Sequence, residues 1–326
     1  FSGKTPTLGA TSQTATYTFK NWNNAAAGNG SYTYTNGQTV TNPNGATSGT
    51  TYLYAQWNSA SVKLPTATLP GYTFLGWYDA ATGGNKIGDA GYSYTPTAAK
   101  TLYAHWQANK ITVKFSGNGA TGGATADQQF TYDSAQALRA NGFTRAYTVT
   151  YNGNFSGKTP TLGATSQTAT YTFKNWNNAA AGNGSYTYTN GQTVTNPNGA
   201  TSGTTYLYAQ WNSASVKLPT ATLPGYTFLG WYDAATGGNK IGGAGDSYTP
   251  TAAKTLYAHW SANAITVKFS GNGATSGSMT DQVFTYDTAQ ALKSNGFSRA
   301  YTVTYNGNFS GKTPTLGATS QTATYT

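Results

Sequence analysis

The sequence of 326 residues contains no cysteine. Disulfide bonds, thiolate metal sites and thiol catalysis are therefore excluded. Charged residues make up only 8% of the chain, whereas about a quarter is usual for a globular protein. Threonine, asparagine, serine and glycine take the polar positions instead, and this polar but weakly charged composition favours a protein that works outside the cell.

Acidic residues and histidines are scarce, and this scarcity limits the chemistry available to the chain. The eight acidic residues form no aspartate-rich run that would supply several oxygen ligands to calcium. The two histidines, His105 and His259, occupy one repeat position, which Gln56 and Gln210 fill elsewhere, and we interpret them as polar strand residues. The sequence therefore predicts no catalytic, cofactor-binding or metal site, and a protein that is not an enzyme.

Long apolar runs are also absent, since no segment approaches the roughly 18 residues of a membrane-spanning helix. The formal net charge is +10, but the basic residues stand singly and form no patch for nucleic acid. The chain opens on FSGKTP, in the middle of a repeated pattern and without a signal peptide, so we expect it to be a segment of something longer.

What the sequence does contain is a long and nearly perfect repeat. The segment FSGKTPTLGATSQTATYT starts at Phe1, Phe155 and Phe309, which gives a period of 154 residues. Residues 1–154 and 155–308 differ at 13 positions, without an insertion. Tandem near-copies are typical of fibres and stalks, in which additional copies supply length.

A weaker repeat divides each period into a long module A and a short module B. YTFKNW at residues 17–22 is followed by TYLYAQW, and YTFLGW at residues 72–77 is followed by TLYAHW. The predicted boundaries are, in chain order, 1–57 for the C-terminal part of a module A, 58–107 for a module B, 108–211 for a complete module A, 212–261 for a module B and 262–326 for the N-terminal part of a module A.

Strand patterns dominate both modules. ITVKF at residues 111–115 and AYTVTY at residues 146–151 alternate apolar and polar side chains, as strands with one buried face do. Asparagine–glycine pairs, among them Asn118-Gly119 and Asn152-Gly153, predict turns between the strands.

One short helix is predicted in each module A. Asp133 is a good N-cap for the segment SAQALRANGF, and Gly142 stands where a helix would end. Asp287 and Gly296 repeat the same arrangement one period later.

The aromatic residues, 14% of the chain, supply the candidate core and a candidate binding surface. Burial of one indole removes roughly 150–250 Å² from water, so the tryptophans are predicted to form the structural core. They are Trp22, Trp57, Trp77, Trp106, Trp176, Trp211, Trp231 and Trp260. Tyrosines that alternate along strands indicate either cross-strand packing or a face that stacks on sugars or contacts another subunit. They are Tyr32, Tyr34, Tyr52, Tyr54, Tyr92 and Tyr94.

The pairing of YTFLGW with TLYAHW and of YTFKNW with TYLYAQW, together with ITVKFSGNGA and FTYDSAQAL, resembles the Listeria–Bacteroides repeat, the internalin-type B-repeat family. The resemblance implies small β-grasp-like modules, with a short helix on a mixed sheet, in tandem in bacterial surface and secreted proteins. It brings no catalytic residues. Module A departs from the short family pattern by an additional hairpin-like stretch, AYTVTYNGNFSGKTPTLGATSQTA, whereas module B lacks a first hairpin.

The expected fold is therefore mainly β, a linear array of β-grasp-like α+β modules with one short helix per long module. The expected function is structural: a tandem-repeat segment of an extracellular bacterial surface fibre, stalk or filament that gives length and stiffness. The alternative is an adhesin module that binds a glycan or a host protein through the tyrosine faces. The expected partners are neighbouring repeats or copies of the same chain, or a glycan or host surface. Nucleic acid is not an expected partner, and this segment is not expected to span a membrane.

The two ends of the chain are predicted to be overlapping parts of one module A. Residues 262–326 carry its first strands, and residues 1–57 carry its later strands. We expect such ends to be completed by the continuity of a longer chain, or otherwise by noncovalent strand exchange between copies.

Overall fold

The computed structural model describes residues 3–325 and is mainly β, as the sequence predicts. The first third of the chain forms β1 (Thr7–Leu8), β2 (Thr18–Asn23), β3 (Thr33–Tyr34), β4 (Tyr54–Asn58), β5 (Val62–Lys63), β6 (Ala67–Thr68), β7 (Tyr72–Tyr78), β8 (Lys86–Gly88), β9 (Ser93–Tyr94) and β10 (Tyr103–Ala108). The middle forms β11 (Lys110–Ser116), β12 (Gly122–Gly123), β13 (Gln128–Thr131), β14 (Gln136–Ala137), β15 (Phe143–Asn152), β16 (Thr161–Leu162), β17 (Ser166–Asn177), β18 (Thr187–Tyr188), β19 (Thr193–Val194) and β20 (Gly203–Asn212).

The last third continues in the same way. Its strands are β21 (Val216–Lys217), β22 (Ala221–Thr222), β23 (Tyr226–Tyr232), β24 (Lys240–Gly242), β25 (Ser247–Tyr248), β26 (Lys254–Ala262), β27 (Ala264–Val267), β28 (Ser276–Gly277), β29 (Gln282–Thr285), β30 (Phe297–Thr304) and β31 (Ser320–Tyr325). Two short 3₁₀ turns, Pro43–Gly45 and Pro197–Gly199, occupy equivalent positions in the two periods.

The predicted helix after Asp133 is wrong, because residues 3–325 contain no α-helix. Asp133 has a φ of 59°, in the left-handed region, whereas a helix N-cap takes an extended backbone. The chain then extends, and β14 pairs with β19 through Gln136 opposite Val194. Asp287 has a φ of 60°, and no helix follows it either.

A buried glutamine holds the segment extended where the sequence predicts a helix. Gln128 Nε2 donates to the carbonyl oxygen of Ala137 at 2.7 Å, and its Oε1 accepts from the Arg139 amide at 2.8 Å. Leu138, between these two residues, is buried in the core. These hydrogen bonds, together with the pairing of β14 with β19, outweigh the local helix signals.

The described chain divides into two compact units. Unit 1 comprises residues 3–143 and 173–211, and unit 2 comprises residues 144–172 and 212–325. In unit 1 the central strand order is β13-β11-β20-β17, with β11 antiparallel to β13 and parallel to β20. One core of this unit consists of Ile111, Val113, Phe130, Leu138, Trp176, Tyr188, Val194, Leu207 and Ala209.

Unit 2 has the same order of strands in its own sheet. The order is β17-β15-β26-β23-β24. Val149 of β15 pairs with Gln167 of β17 in an antiparallel ladder and with Lys254 of β26 in a parallel one. The first strand of each unit's sheet therefore lies beside the last strand and parallel to it, so each sheet is mixed.

The strand pairing divides the chain differently from the contiguous modules A and B that the sequence predicts. Residues 144–172 fall inside the predicted module A of residues 108–211, yet they belong to unit 2 and pair with β26. The additional hairpin that the sequence assigns to module A is thus the first hairpin of the sheet in unit 2. Residues 212–261 form the rest of that sheet. Each sheet is assembled from two stretches of chain, and the stretch between them belongs to the other unit.

The YTF and LYA strands pair within each module, in agreement with the repeat pattern. Trp22 of β2 lies opposite Ala55 of β4, and Trp231 of β23 lies opposite Ala258 of β26, both in antiparallel register. A register shift in the second ladder lies between Phe228 and Gly230. Gly230 has a φ of 136°, and a Cβ there would lie 2.9 Å from the Gly242 carbonyl oxygen, so the shift requires glycine.

Candidate functional site

Strand β15, which lies within residues 144–172, is a central strand of the sheet in unit 2. Val149 and Tyr151 of β15 are 0% and 4% exposed. The Tyr151 ring packs on Trp231, with ring centroids 4.9 Å apart. Burial raises the pKa of Tyr151 to about 12, so its phenol is neutral at physiological pH. The inserted strand therefore fills the core as well as completing the hydrogen-bond ladder.

A glycine–asparagine pair fastens the end of this inserted strand. Trp260 Nε1 donates to the Gly153 carbonyl oxygen at 2.8 Å. Asn154 Nδ2 donates to the carbonyl oxygens of Ala235 and Ala258, at 2.7 Å and 3.1 Å. Asn154 has a φ of 50°, a conformation that asparagine tolerates better than most residues. We call Gly153-Asn154 the Gly-Asn anchor of unit 2.

Unit 1 has the same anchor after its own first strand, β11. Trp211 Nε1 donates to the Gly117 carbonyl oxygen at 3.1 Å. Asn118 Nδ2 donates to the carbonyl oxygens of Ala180 and Ala209, at 2.8 Å and 2.9 Å. Gly117-Asn118 is therefore the Gly-Asn anchor of unit 1.

This equivalence of the two anchors is not among the predictions from the sequence, although the sequence carries a signal for it. FSGN at residues 115–118 and YNGN at residues 151–154 share the pattern aromatic-x-Gly-Asn directly after an alternating strand. The asparagine–glycine pairs that overlap these patterns, Asn118-Gly119 and Asn152-Gly153, predict turns. The turn prediction is therefore offset by one residue from each anchor. Alignment on the aromatic residue shows that ITVKFSGN and YTVTYNGN are two versions of one first strand.

A recurring cluster of charged and aromatic side chains joins successive parts within each unit. In unit 1 this junction cluster consists of Lys4, Tyr72, Tyr132 and Asp133. Lys4 Nζ forms an ion pair with the Asp133 carboxylate and lies 4.3 Å from the centre of the Tyr132 ring. The Tyr72 hydroxyl donates to Asp133 Oδ2 at 2.9 Å, and Asn196 Nδ2 donates to Oδ1 at 3.0 Å.

These contacts shift both ionisable groups of the junction cluster. The Lys4 ammonium, followed by the Asn196 amide and the Tyr72 hydroxyl, lowers the pKa of Asp133. The hydrogen bond to Asp133 raises the pKa of Lys4 despite partial desolvation. Both shifts favour the charged pair. Gly71 completes the fit, because its φ is 81° and a Cβ there would lie 2.1 Å from the Tyr132 ring.

Unit 2 repeats the junction cluster with Lys158, Tyr226, Tyr286 and Asp287. Lys158 pairs with Asp287 and lies 4.6 Å from the centre of the Tyr286 ring. The Tyr226 hydroxyl donates to Asp287 Oδ2 at 3.1 Å. The recurrence at a spacing of one period makes the cluster part of the repeat.

The tryptophans proposed as the structural core differ in burial. Trp77, Trp176 and Trp231 are buried, whereas Trp57 is 57% exposed. Half-buried positions are those of Trp22, Trp106, Trp211 and Trp260. The prediction that Trp57 lies in the core is corrected, because its ring is exposed to solvent. Its equivalent, Trp211, is half-buried and donates to the Gly117 carbonyl oxygen.

The tyrosines proposed as a binding face do not share one environment. Exposed rings are those of Tyr32, Tyr52, Tyr54 and Tyr92, whereas Tyr34 and Tyr94 are half-buried. Tyr34 is structural, since its hydroxyl accepts from the Asn44 amide at 2.6 Å. In the second period Tyr186 and Tyr206, the equivalents of Tyr32 and Tyr52, are exposed again, whereas Asp246 replaces Tyr92.

The two histidines make the same contacts in their two copies. His105 stacks on Tyr78 with centroids 3.9 Å apart, and its Nε2 lies 2.9 Å from the Ala80 carbonyl oxygen. His259 stacks on Tyr232 at the same distance. Within residues 3–325, no three histidine or aspartate side chains gather into a group that could hold a metal ion.

Comparison with known proteins places two segments of the chain in a family. Residues 39–105 and 190–259 match the Listeria-Bacteroides repeat domain, so the predicted resemblance is confirmed there. Internalin H of Listeria monocytogenes is 46% identical over 72 residues, which are 22% of this chain and 12% of that protein. A putative Gly-rich membrane protein of Evansella cellulosilytica is 30% identical over 240 residues, 62% of this chain and 24% of that protein.

The chain therefore spans no more than a quarter of these two relatives. No solved structure matches it. Within the part of the chain that the structure describes, no helix has the length and hydropathy needed to cross a membrane.

Proposed function

From the two Listeria-Bacteroides repeat segments, we propose that the chain is a tandem-repeat segment of an extracellular bacterial surface fibre, stalk or filament. Its contribution is length and stiffness rather than catalysis. The similarity to internalin H and to a putative Gly-rich membrane protein supports a surface location. The repetition of β modules at a period of 154 residues supports a role in which copies add length.

The observation that carries the proposal is the exchange of hairpins between consecutive stretches of chain. Residues 144–172 belong to unit 2, while residues on both sides of them, up to 143 and from 173, belong to unit 1. Tandem domains joined by a single linker move freely unless a large interface holds them. In this chain the backbone passes between the two units three times, at 143/144, 172/173 and 211/212, in place of that single linker.

Electron microscopy of chains that contain two, four and six periods tests this function. The proposal requires a contour length that grows in proportion to the number of periods, and an end-to-end distance that nearly equals it. An end-to-end distance that grows with about the square root of the number of periods, as in a flexible chain, would exclude the stalk.

The alternative is an adhesin module, and the exposed tyrosines that recur in both periods favour it. Tyr186 and Tyr206 correspond to Tyr32 and Tyr52, and all four rings are exposed. Aromatic rings with one open face stack on sugars and carry many interfaces. A glycan array tests this role. It would be established if the chain binds a glycan and the double variant Tyr52→Ser, Tyr206→Ser does not. An array on which the chain gives no signal would exclude glycan binding as its function.

A further inference from the structure

An exposed turn of unit 1 carries an asparagine–glycine pair. Asn190 and Gly191 connect β18 to β19, and both residues are exposed. The Gln192 amide donates to the Thr189 carbonyl oxygen at 3.2 Å and closes the turn. Gly191 has a φ of 69°, and no atom beyond its chain neighbours lies within 4 Å of the place that a Cβ would take. The side-chain amide of Asn190 and the backbone amide of Gly191 are therefore both open to water.

A backbone N–H from a residue distant in sequence contacts the side chain of Asn190. The Asn141 amide donates to Asn190 Oδ1 at 2.7 Å. Negative charge develops on this oxygen when a nucleophile adds to Asn190 Cγ, and a fixed N–H donor stabilises such charge. The nucleophile is the Gly191 amide nitrogen, whose N–H has no acceptor within residues 3–325. The turn thus combines an activated carbonyl group with a free attacking nitrogen.

Three other asparagine–glycine pairs between residues 108 and 212 lack this free nitrogen. The Gly142 amide donates to Thr125 Oγ1 at 2.9 Å. The Gly184 amide donates to the buried Asn177 side chain at 3.0 Å, and the Gly199 amide donates to a carbonyl oxygen at 2.9 Å. Each of these hydrogen bonds must break before the nitrogen attacks, so each raises the barrier to the reaction. The pairs concerned are Asn141-Gly142, Asn183-Gly184 and Asn198-Gly199.

The two remaining pairs between residues 108 and 212 are held by the Gly-Asn anchors. The leaving group of Asn118, its Nδ2 amide, donates to two carbonyl oxygens. Asn152 ends β15 opposite Tyr257 in the ladder, and the carbonyl oxygen of the next residue, Gly153, accepts from Trp260. Ring closure requires rotation of the asparagine ψ away from its extended value, which a fixed strand resists. Among these pairs, the turn at Asn190 is therefore the one that the structure leaves open to reaction.

We propose that Asn190 is a site of spontaneous modification, at which the side-chain amide is converted to a carboxylate without an enzyme. The Gly191 nitrogen gives its proton to water and forms a bond to Asn190 Cγ. The bond from Cγ to Nδ2 then breaks, and Nδ2 leaves as ammonia after it takes a proton from water. One water molecule opens the resulting cyclic imide at either of its two carbonyl groups, which gives aspartate or isoaspartate. The balance is one water consumed and one ammonia released, without oxidation or reduction.

Both products change the turn in a defined way. An aspartate keeps a side-chain oxygen for the Asn141 N–H and adds one negative charge to a chain with a formal net charge of +10. An isoaspartate adds a main-chain carbon between β18 and β19. Because Val194 of β19 pairs with Gln136 of β14, the longer turn weakens the ladder that holds the segment before Leu138 extended. Since the reaction needs no enzyme, its extent records the time that a chain has spent in water.

Tryptic peptide mapping of the folded 326-residue chain, incubated in mildly alkaline buffer, tests the proposal. Mass spectrometry detects the conversion of amide to acid, and fragmentation of the peptide locates it. The chain carries the background substitution Asn36→Ser, because residues 21–63 and 175–217 are otherwise identical tryptic peptides. The rate at Asn190 is then measured without interference from the first period.

The peptide of residues 175–217 contains its own matched controls, Asn183 and Asn198, each followed by glycine. In the folded chain we expect deamidation at Asn190 to be more than about tenfold faster than at either control, because their glycine nitrogens must first lose a hydrogen bond. In urea these hydrogen bonds are absent, so the three rates should converge. Equal rates at Asn190 and Asn183 in the folded chain would overturn the proposal. It would also fail if Asn190 stays unmodified under conditions that fully modify the chain in urea.

A second variant tests the role of the free nitrogen. Thr125→Met removes the acceptor of the Gly142 amide, and the fold accommodates this change, since the second period has Met279 at the same position. The variant should deamidate about tenfold faster at Asn141 and at an unchanged rate at Asn183. Its circular dichroism should match that of the original chain. An unchanged rate at Asn141 would contradict the selection of the site by its free glycine nitrogen.

Discussion

At the scale of single residues, the asparagine of the Gly-Asn anchor connects stretches of chain that are far apart in sequence. Asn154 donates to two backbone carbonyl groups that lie 81 and 104 residues further along the chain. A left-handed backbone, two carbonyl acceptors and a tryptophan indole meet at this point. No hydrophobic pattern marks such a position, because its importance lies in the hydrogen bonds that it makes.

Asn154→Ala should destabilise unit 2. Two carbonyl groups lose their donor, and alanine is less suited to a φ of 50°, so we expect a loss of about 1–3 kcal/mol. Calorimetry of the chain under dilute conditions should show one transition at lower temperature. Asn308→Ala is the matched control: Asn308 shares the sequence context and the local bond from its backbone amide to the asparagine two residues before it, without the two carbonyl contacts of Asn154 among the described residues. Equal effects of the two substitutions would contradict the role of the anchor.

The junction cluster predicts a dependence of stability on pH. The pKa values of Asp133 and Asp287 are lowered in the folded state, chiefly by Lys4 and Lys158. Their contribution is present above the ordinary aspartate pKa of about 4, and it is lost as the pH falls through the lower folded value.

The double substitution Asp133→Asn and Asp287→Asn should therefore flatten the acid limb of a plot of melting temperature against pH. Both ion pairs are partly exposed, so high salt should also reduce the difference between the variant and the original chain. Asp127→Asn removes a carboxylate from a longer, exposed contact with Lys114 and is the control. An acid limb that is unchanged in the double variant would contradict this assignment.

At the scale of secondary-structure elements, the segment after Asp133 shows how a local pattern can mislead. An N-cap residue, alternating apolar residues and a terminal glycine predict a helix. The extended form is preferred because β14 pairs with β19 and Gln128 hydrogen-bonds both flanking backbone groups. A buried glutamine from another strand cannot be identified as this partner from its own neighbours in sequence.

Gln128→Leu should leave the Ala137 carbonyl and the Arg139 amide without their partner. We expect a loss of about 1–3 kcal/mol, measured by thermal or urea unfolding monitored at the tryptophans. Gln129→Val is the control, because the adjacent side chain is exposed and the second period has Val283 at that position. If both variants unfold alike, Gln128 does not hold the segment.

At the scale of the whole molecule, the units are discontinuous in sequence. Unit 2 takes its first hairpin from residues 144–172 and the remainder of its sheet from residues after 212. Thr172 and Asn212 lie close together, since Asn212 Nδ2 donates to Thr172 Oγ1 at 3.1 Å. A short bridge can therefore join the two stretches without residues 173–211.

A chain of residues 144–172, a linker of about five glycine and serine residues, and residues 212–262 should fold by itself. The physical reason is that β15 supplies the central strand and that Val149 and Tyr151 fill the core. Near-UV circular dichroism and dispersed amide resonances would report the packing around Trp231. The contiguous stretch 212–262 alone should remain largely unfolded. A folded contiguous stretch would instead support the shorter module that the sequence predicts.

The sequence alone determined the repeat period, the mainly β class, the family resemblance and the alternation of YTF strands with LYA strands along the chain. These features depend on periodicity and on neighbours within about 40 residues, such as Trp231 and Ala258. It also located the strands themselves, since ITVKF and AYTVTY form β11 and β15. Three of the four tryptophans of the YTF strands, Trp77, Trp176 and Trp231, are buried as predicted, whereas those of the LYA strands are half-buried or exposed.

Only the tertiary structure decided which hairpin completes which sheet. Val149 pairs with Lys254 across more than a hundred residues, and no residue near Val149 specifies that partner. Two first strands of nearly equal pattern precede two acceptor sites, so local propensity cannot rank the possible pairings. The choice depends on ladders, buried rings and anchors that exist only once distant stretches of the chain meet.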